Sequence, residues 1–290
     1  MLVNSSSNES QYHVNTSSTN PSYSEEMYCL ISRPSSFIFI TFCITCIFLL
    51  LPVSVLILYY GLQQWLQRGS SSGAAMSHSD SFTYHIATME LIGAVGCILC
   101  CCATYRADSD IYLMGSILLS LIWYGETFFH ILTSLERYLA VVHPITYLSL
   151  TKERRIRIRN ISIGCVWLLC FIGTGLMSTY EIFHMINFCF FILASAVVSF
   201  IGVPILCILV RAAPGEHDTS RGRVDQSKQR AFYTVVTILG ALALRFAWGL
   251  VWVVWYMSGK RIHCLIISSS AWLNLPSSLV LPLLFLYRTR

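Results

Sequence analysis

FIFITFCITCIFLLLPVSVLILYY, from Phe37 to Tyr60, contains no charged residue. A bilayer core about 30 Å thick takes about 20 apolar residues in helical form, so this stretch can cross it. Working outward, stretches of the same kind lie near 36–60, 82–105, 111–135, 160–181, 187–211, 231–257 and 263–287. The composition agrees: 55% of the 290 residues are hydrophobic, 11% are charged, and the mean hydropathy is +0.64. A soluble domain carries about 25% charged residues, so soluble enzymes, nucleic-acid-binding modules and disordered chains are excluded. The two-residue alternation of a transmembrane β-barrel is missing. The expected fold is an all-α membrane protein, a bundle of seven transmembrane helices, each satisfying its own backbone in lipid.

Basic residues orient the bundle. With the N-terminus outside, the inner segments collect Arg68, Arg137, the run from Lys152 to Arg159, Arg211, Arg221, Arg223, Lys228, Arg230, Arg288 and Arg290. The outer segments hold Arg33, Arg106, Lys260 and Arg261, the asymmetry of the positive-inside rule. Residues 1–35 then form an extracellular tail rich in Ser, Asn and Thr, with N-glycosylation sequons at Asn4, Asn8 and Asn15, while Pro21 blocks Asn20. Met1-Leu2-Val3 leads directly into polar residues, so the first span is expected to direct insertion. The bundle occupies 36–287, and 288–290 form a cytoplasmic end.

Twelve cysteines suggest a disulfide framework until they are placed. Most fall inside spans, where they pack as small apolar residues. Cys100-Cys101-Cys102 point in three helical directions, which does not suit a metal site. Cys29 and Cys264 both sit at the outer face, and a bridge between them would tie the tail to the seventh span; Cys189 is the competing partner. The two halves of the chain share no repeat, so an inverted-repeat transporter has no support.

At the inner end of the third stretch lies Leu135-Glu136-Arg137-Tyr138-Leu139-Ala140-Val141-Val142-His143-Pro144. Charges at that depth are costly unless they neutralise each other or reach water and headgroups. The stretch resembles the Asp/Glu-Arg-Tyr signature of rhodopsin-like (class A) G-protein-coupled receptors. The resemblance implies that Glu136 restrains Arg137, and that Arg137 with Tyr138 faces a heterotrimeric G protein once the sixth span swings out. It also implies a plasma-membrane location and an extracellular ligand, whose identity is open. Trp167 matches the family's fourth-span tryptophan, Pro204 stands for the proline of the fifth, Pro282 keeps that of the seventh, and Ala87 with Glu90 resembles the Ala-x-x-Asp of the second. The plainer reading of Glu136-Arg137 is an interfacial ion pair.

The departures are specific. Leu281-Pro282-Leu283-Leu284-Phe285 stands where the family has Asn-Pro-x-x-Tyr, and Thr237 to Trp252 lacks Cys-Trp-x-Pro. Tyr112 occupies the place of the usual third-span cysteine, and the second outer loop is very short. A receptor-fold protein that scavenges ligand or partners other receptors without coupling is therefore a live alternative.

Glu90, Glu126 and Arg245 remain in the middle of the bundle. Alignment with the family places all three around one pocket, where Arg245 would be the cation between two carboxylates that otherwise repel. A cluster of this kind could respond to protons. The rival placement has Arg245 facing a water-filled cavity, unpaired. His130, one turn beyond Glu126, reads as a hydrogen-bonded packing residue. A channel or transporter using these charges is the rival mechanism. An intramembrane enzyme lacks its nucleophile, its aspartate pair and any His-Glu-x-x-His site, and a retinal cofactor lacks a lysine in 263–287. No enzyme activity, cofactor, metal or nucleic-acid partner is expected. The basic run from Lys152 to Arg159, placed in the second inner loop, suits anionic membrane lipids somewhat better than a G protein.

Overall fold

The computed structural model describes residues 32–68, 78–106, 108–149, 151–177, 183–211, 222–258 and 264–289. The sequons at Asn4, Asn8 and Asn15, and Cys29, lie outside the described residues. Among these residues the structure is helical: α1 (Ser35–Arg68), α2 (His78–Arg106), α3 (Ser109–Val142), the short α4 (Pro144–Ser149), α5 (Lys152–Met177), α6 (Phe183–Arg211), α7 (Gly222–Ser258), α8 (Cys264–Ser270), a 3-10 turn (Ala271–Asn274) and α9 (Leu275–Thr289). Among the described residues five segments are long and apolar enough to cross a membrane: Ser35–Gln67, Ser81–Arg106, Ser109–Ala140, Glu153–Gly175 and Cys264–Leu286. Shorter apolar segments lie in α6 (Ile192–Pro204) and α7 (Val236–Val251). The chain is a helical membrane protein.

Most of these helices differ at an end from the expected spans, α1 running on to Arg68 and α7 starting at Gly222, and three of the differences have a clear local reason. α3 begins at Asp108, whose carboxylate accepts the N–H groups of Asp110 and Ile111 at 3.0 and 3.2 Å. It then meets no breaker before Pro144, which bars His143 from helical geometry. Helix therefore continues past residue 135 to Val142, and Glu136, Arg137 and Tyr138 sit on it. The basic run is likewise helix, not loop. Thr151 caps it, with its carbonyl accepting Arg155 N–H at 3.0 Å and its hydroxyl facing Arg154 N–H at 3.4 Å. The last segment is not one continuous helix. Pro276 has no N–H to give the Trp272 carbonyl, Leu275 N–H closes on it instead, and the backbone tightens to 3-10 over Ala271–Asn274.

Side-chain contacts set the directions. Cys43 meets Cys101 while Gly61 lies against Tyr84, so α1 and α2 are antiparallel. Phe82 packs on Phe129, and Gly96 on Gly115, so α2 and α3 are too. Tyr124 meets Gly173 in α5, whereas Arg155 and Tyr147 sit by Glu136, so α5 opposes α3. Phe128 packs on Phe190 and Tyr138 on Ile201, which makes α6 parallel to α3. Trp123 meets Trp248 and Glu126 meets Arg245, which makes α7 antiparallel. Ser35 bonds Ser268, and Ile57 packs with Phe285, so α8–α9 runs with α1. The long segments thus alternate in direction, and α3 is the central one, packed against α2, α5, α6 and α7.

Cys264 is disulfide-bonded. Cys189, the competing partner, is a free thiol. Beside the bridge the Ser35 hydroxyl donates to the Cys264 carbonyl at 3.0 Å and lies 2.5 Å from Ser268 Oγ, joining the starts of α1 and α8. A disulfide is worth about 2–4 kcal/mol through loss of unfolded-state freedom. Adding dithiothreitol should lower the melting midpoint of the wild-type chain in detergent and leave that of Cys264→Ser, already lower, unchanged.

Candidate functional site

Trp123, Glu126, Thr127, His130, Ser134 and Arg137 recur at helical spacing along one face of α3. Of these, Glu126, Thr127 and Ser134 are fully enclosed and His130 nearly so. α7 sets Arg245 against this face, and at 1% exposure it is the largest fully buried side chain of the described residues. Its Nη2 donates to Glu126 Oε2, and its Nη1 to the Trp123 carbonyl at 2.9 Å and to Thr127 Oγ1 at 3.0 Å. Thr127 can accept because its own proton goes to the Trp123 carbonyl at 2.9 Å. A guanidinium presents a rigid fork of donors, and one α3 turn supplies carboxylate, hydroxyl and carbonyl to meet it.

α9 adds the third wall. Ser277 Oγ donates to Glu126 Oε2 at 3.4 Å and lies 3.1 Å from His130 Nε2. With the serine proton on the carboxylate, His130 donates from Nε2. Glu90, on α2 and 3% exposed, is hydrogen-bonded by Ser278, and its charge interacts with that of Arg245. The structure therefore brings Arg245 and Glu126 into contact and sets Glu90 one step away, held by α9. Glu90 Oε1, Glu126 Oε1, His130 Nδ1, Thr133 Oγ1, Ser134 Oγ and Arg245 Nε are buried without a partner among the described residues, an uncommon concentration for one helix and its neighbours.

An aromatic lid covers the pair toward the α3 N-terminus. Trp123 and Trp248 each lie one turn from the ion pair, with ring centroids 5.0 Å apart and planes at 76°. Tyr124 packs on Trp123 at 5.6 Å, and Phe190 of α6 on Tyr124 at 5.9 Å and Phe128 at 5.0 Å.

At the other end of α3, Glu136, Arg137 and Tyr138 are half-buried. The Tyr138 hydroxyl lies 3.4 Å from His143 Nε2, and its ring packs against Ile201 of α6. Arg155 of α5 lies 5.5 Å over the Tyr147 ring. Burial, helped by the nearby Glu136 carboxylate, pushes the Tyr147 phenol above its ordinary value. Four elements thus meet around the Glu-Arg-Tyr triplet.

Trp167 Nε1 donates to His85 Nδ1 at 3.4 Å, and His85 stacks on Phe129 at 6.0 Å, so Trp167 ties α5 to α2 and α3. Pro204 lies within α6 and Pro282 within α9, neither of which ends there. Cys43 meets Cys97 and Cys101, and Cys46 meets Cys97, thiol to thiol between α1 and α2, an encounter that separate spans do not reveal. Among the described residues no group of three or more His, Cys, Asp or Glu has the arrangement of a metal site. Sequence reasoning missed Trp123, Thr127, Ser277 and Ser278. The available signal was Pro276-Ser277-Ser278, a proline and two hydroxyls one turn before the apolar Leu281-Pro282. Comparison of the chain with protein-family models and with curated proteins returns no match.

Proposed function

We propose that this chain is a plasma-membrane receptor, with seven crossings and its N-terminus outside, that carries an extracellular ligand's signal to a heterotrimeric G protein. The observation that carries the reading is the layout of α3. One helix holds, in order, a tryptophan lid, a buried ion pair to α7 and the Glu136-Arg137-Tyr138 triplet beside α6 and α5. Such a helix can pass a change at one membrane face to the other, because its two ends belong to one rigid element.

In this reading Glu126–Arg245 is the tie that holds α7 against α3 at rest. A ligand near Trp248 favours the outward α7 position by binding it better than the resting one. Turning a 1:99 population into 99:1 takes about 5.5 kcal/mol of differential affinity. That is of the order of a broken buried ion pair, about 3–5 kcal/mol, so a small ligand can do it. Arg137 then meets the G protein, with Glu136 its restraint and Tyr138 its packing contact to α6.

A G-protein nucleotide-exchange assay on the purified chain, across a broad ligand panel, tests this. The wild-type chain should exceed Arg137→Ala at least tenfold with an active ligand. Equal activity of the two would favour a receptor-fold protein that scavenges ligand or partners other receptors. A second reading, an ion or solute pathway, draws on the partnerless buried atoms of Glu126, His130, Thr133 and Ser134, which descend α3 toward Arg137. Ion flux through reconstituted vesicles, abolished in His130→Ala, would favour it instead.

A further inference from the structure

On α5, Arg154, Arg157, Ile158, Ile161, Leu168 and Ile172 share one face by helical spacing, and all are exposed. This segment is the least buried of the five long apolar segments among the described residues. The stripe is apolar along the membrane-spanning part and cationic in the first turns of the helix. Neighbouring cations are already engaged, Arg155 over the Tyr147 ring and Arg159 on Asn160 Oδ1 at 3.2 Å. Arg154 and Arg157, three residues apart, stand side by side on the exposed face.

We infer that this face is a binding site for an anionic phospholipid. Its headgroup is held between Arg154 and Arg157, and an acyl chain lies along Ile161, Leu168 and Ile172. The dimensions fit one leaflet. Ile161 to Ile172 rises about 16 Å at 1.5 Å per residue, and half of a bilayer core is about 15 Å. The arginines then stand at headgroup depth, where their long side chains reach phosphate while their stems stay on the apolar stripe. A water-soluble anion would engage only the arginine end; a phospholipid matches both halves of the stripe. The site is independent of signalling and stands whether or not the chain couples to a G protein.

The test is lipid retention by the full chain, purified in detergent doped with equal phosphatidylserine and phosphatidylcholine and read by native mass spectrometry. Arg154→Gln/Arg157→Gln should lower retained phosphatidylserine about tenfold, at unchanged phosphatidylcholine and melting midpoint. Arg33→Gln/Arg106→Gln, which removes the same charge elsewhere, should leave it as in wild type. Inorganic phosphate at millimolar concentration should not displace the lipid. Equal loss in both double variants, no loss in either, or displacement by phosphate would overturn the site. So would disulfide cross-linking of Leu168→Cys between two chains in phosphatidylserine-rich vesicles, since a second copy would then cover the stripe.

Discussion

Glu126→Gln should destabilise the folded bundle by about 3–5 kcal/mol, the usual consequence of removing one member of a buried pair. Arg245 is 1% exposed and donates to Glu126, Thr127 and the Trp123 carbonyl, so the substitution leaves a buried guanidinium hydrogen-bonded to neutral acceptors alone, with the Glu90 carboxylate one step away. Arg245→Met is expected to be milder. The carboxylate it leaves can take up a proton and keep the Ser277 hydroxyl, whereas a guanidinium does not give up its charge. The double variant Glu126→Gln/Arg245→Met should recover most of the loss, because exchanging a whole buried pair for neutral groups is often neutral or stabilising. Melting midpoints of the four proteins in one detergent check this. A double variant no better than the sum of the two single ones would mean that the residues act independently. If the pair is also the resting tie between α3 and α7, the recovered double variant should show raised basal nucleotide exchange.

Gly115→Leu should be comparably damaging, and for steric reasons. A Cβ at Gly115 would stand 2.6 Å from Cys100 Sγ, 3.0 Å from the Cys100 nitrogen and 3.0 Å from the Gly96 carbonyl. A Cβ at Gly96 would in turn stand 3.1 Å from the Gly115 carbonyl. Backbone lies on both sides, so neither helix can yield by turning a side chain. Small residues at such a seam let membrane helices approach closely and pack by dispersion. Overpacking costs about 1–3 kcal/mol where the structure can relax, and this seam should sit at or above the top of that range. Even Gly115→Ala should lower the melting midpoint. Gly164→Ala is the control: nothing lies within 4 Å of its Cβ position, and alanine should gain up to about 1 kcal/mol from helix propensity. A neutral Gly115→Ala would show that α2 and α3 separate at no cost.

The helices were readable because their signal is local. A stretch such as Phe37 to Tyr60 must satisfy its backbone internally wherever it sits in lipid. The ends were less readable, since hydropathy marks where a helix leaves the apolar layer and says nothing of where it stops. Capping residues mark that: Asp108 and Thr151 begin helices, and Pro144 ends one, and the basic run after Thr151 is helix for this reason. The break before Leu275 was legible in principle from Pro276.

The site was half legible. An arginine and two acids at mid-membrane are so costly alone that some pairing among Glu90, Glu126 and Arg245 could be expected from the sequence. Which acid Arg245 takes depends on how far α7 is rotated and how deep it sits against α3, and no local pattern encodes that. The close α2–α3 approach across Gly96 and Gly115, and the placing of Ser277 and Ser278 by the α9 break, likewise belong to the packed helices. From residues alone, then, follow the membrane class, the apolar stretches and the presence of buried charge, because transfer from water to lipid is priced residue by residue. The partner of each charge follows only from the fold, because a hydrogen bond depends on two helices meeting within a few tenths of an ångström.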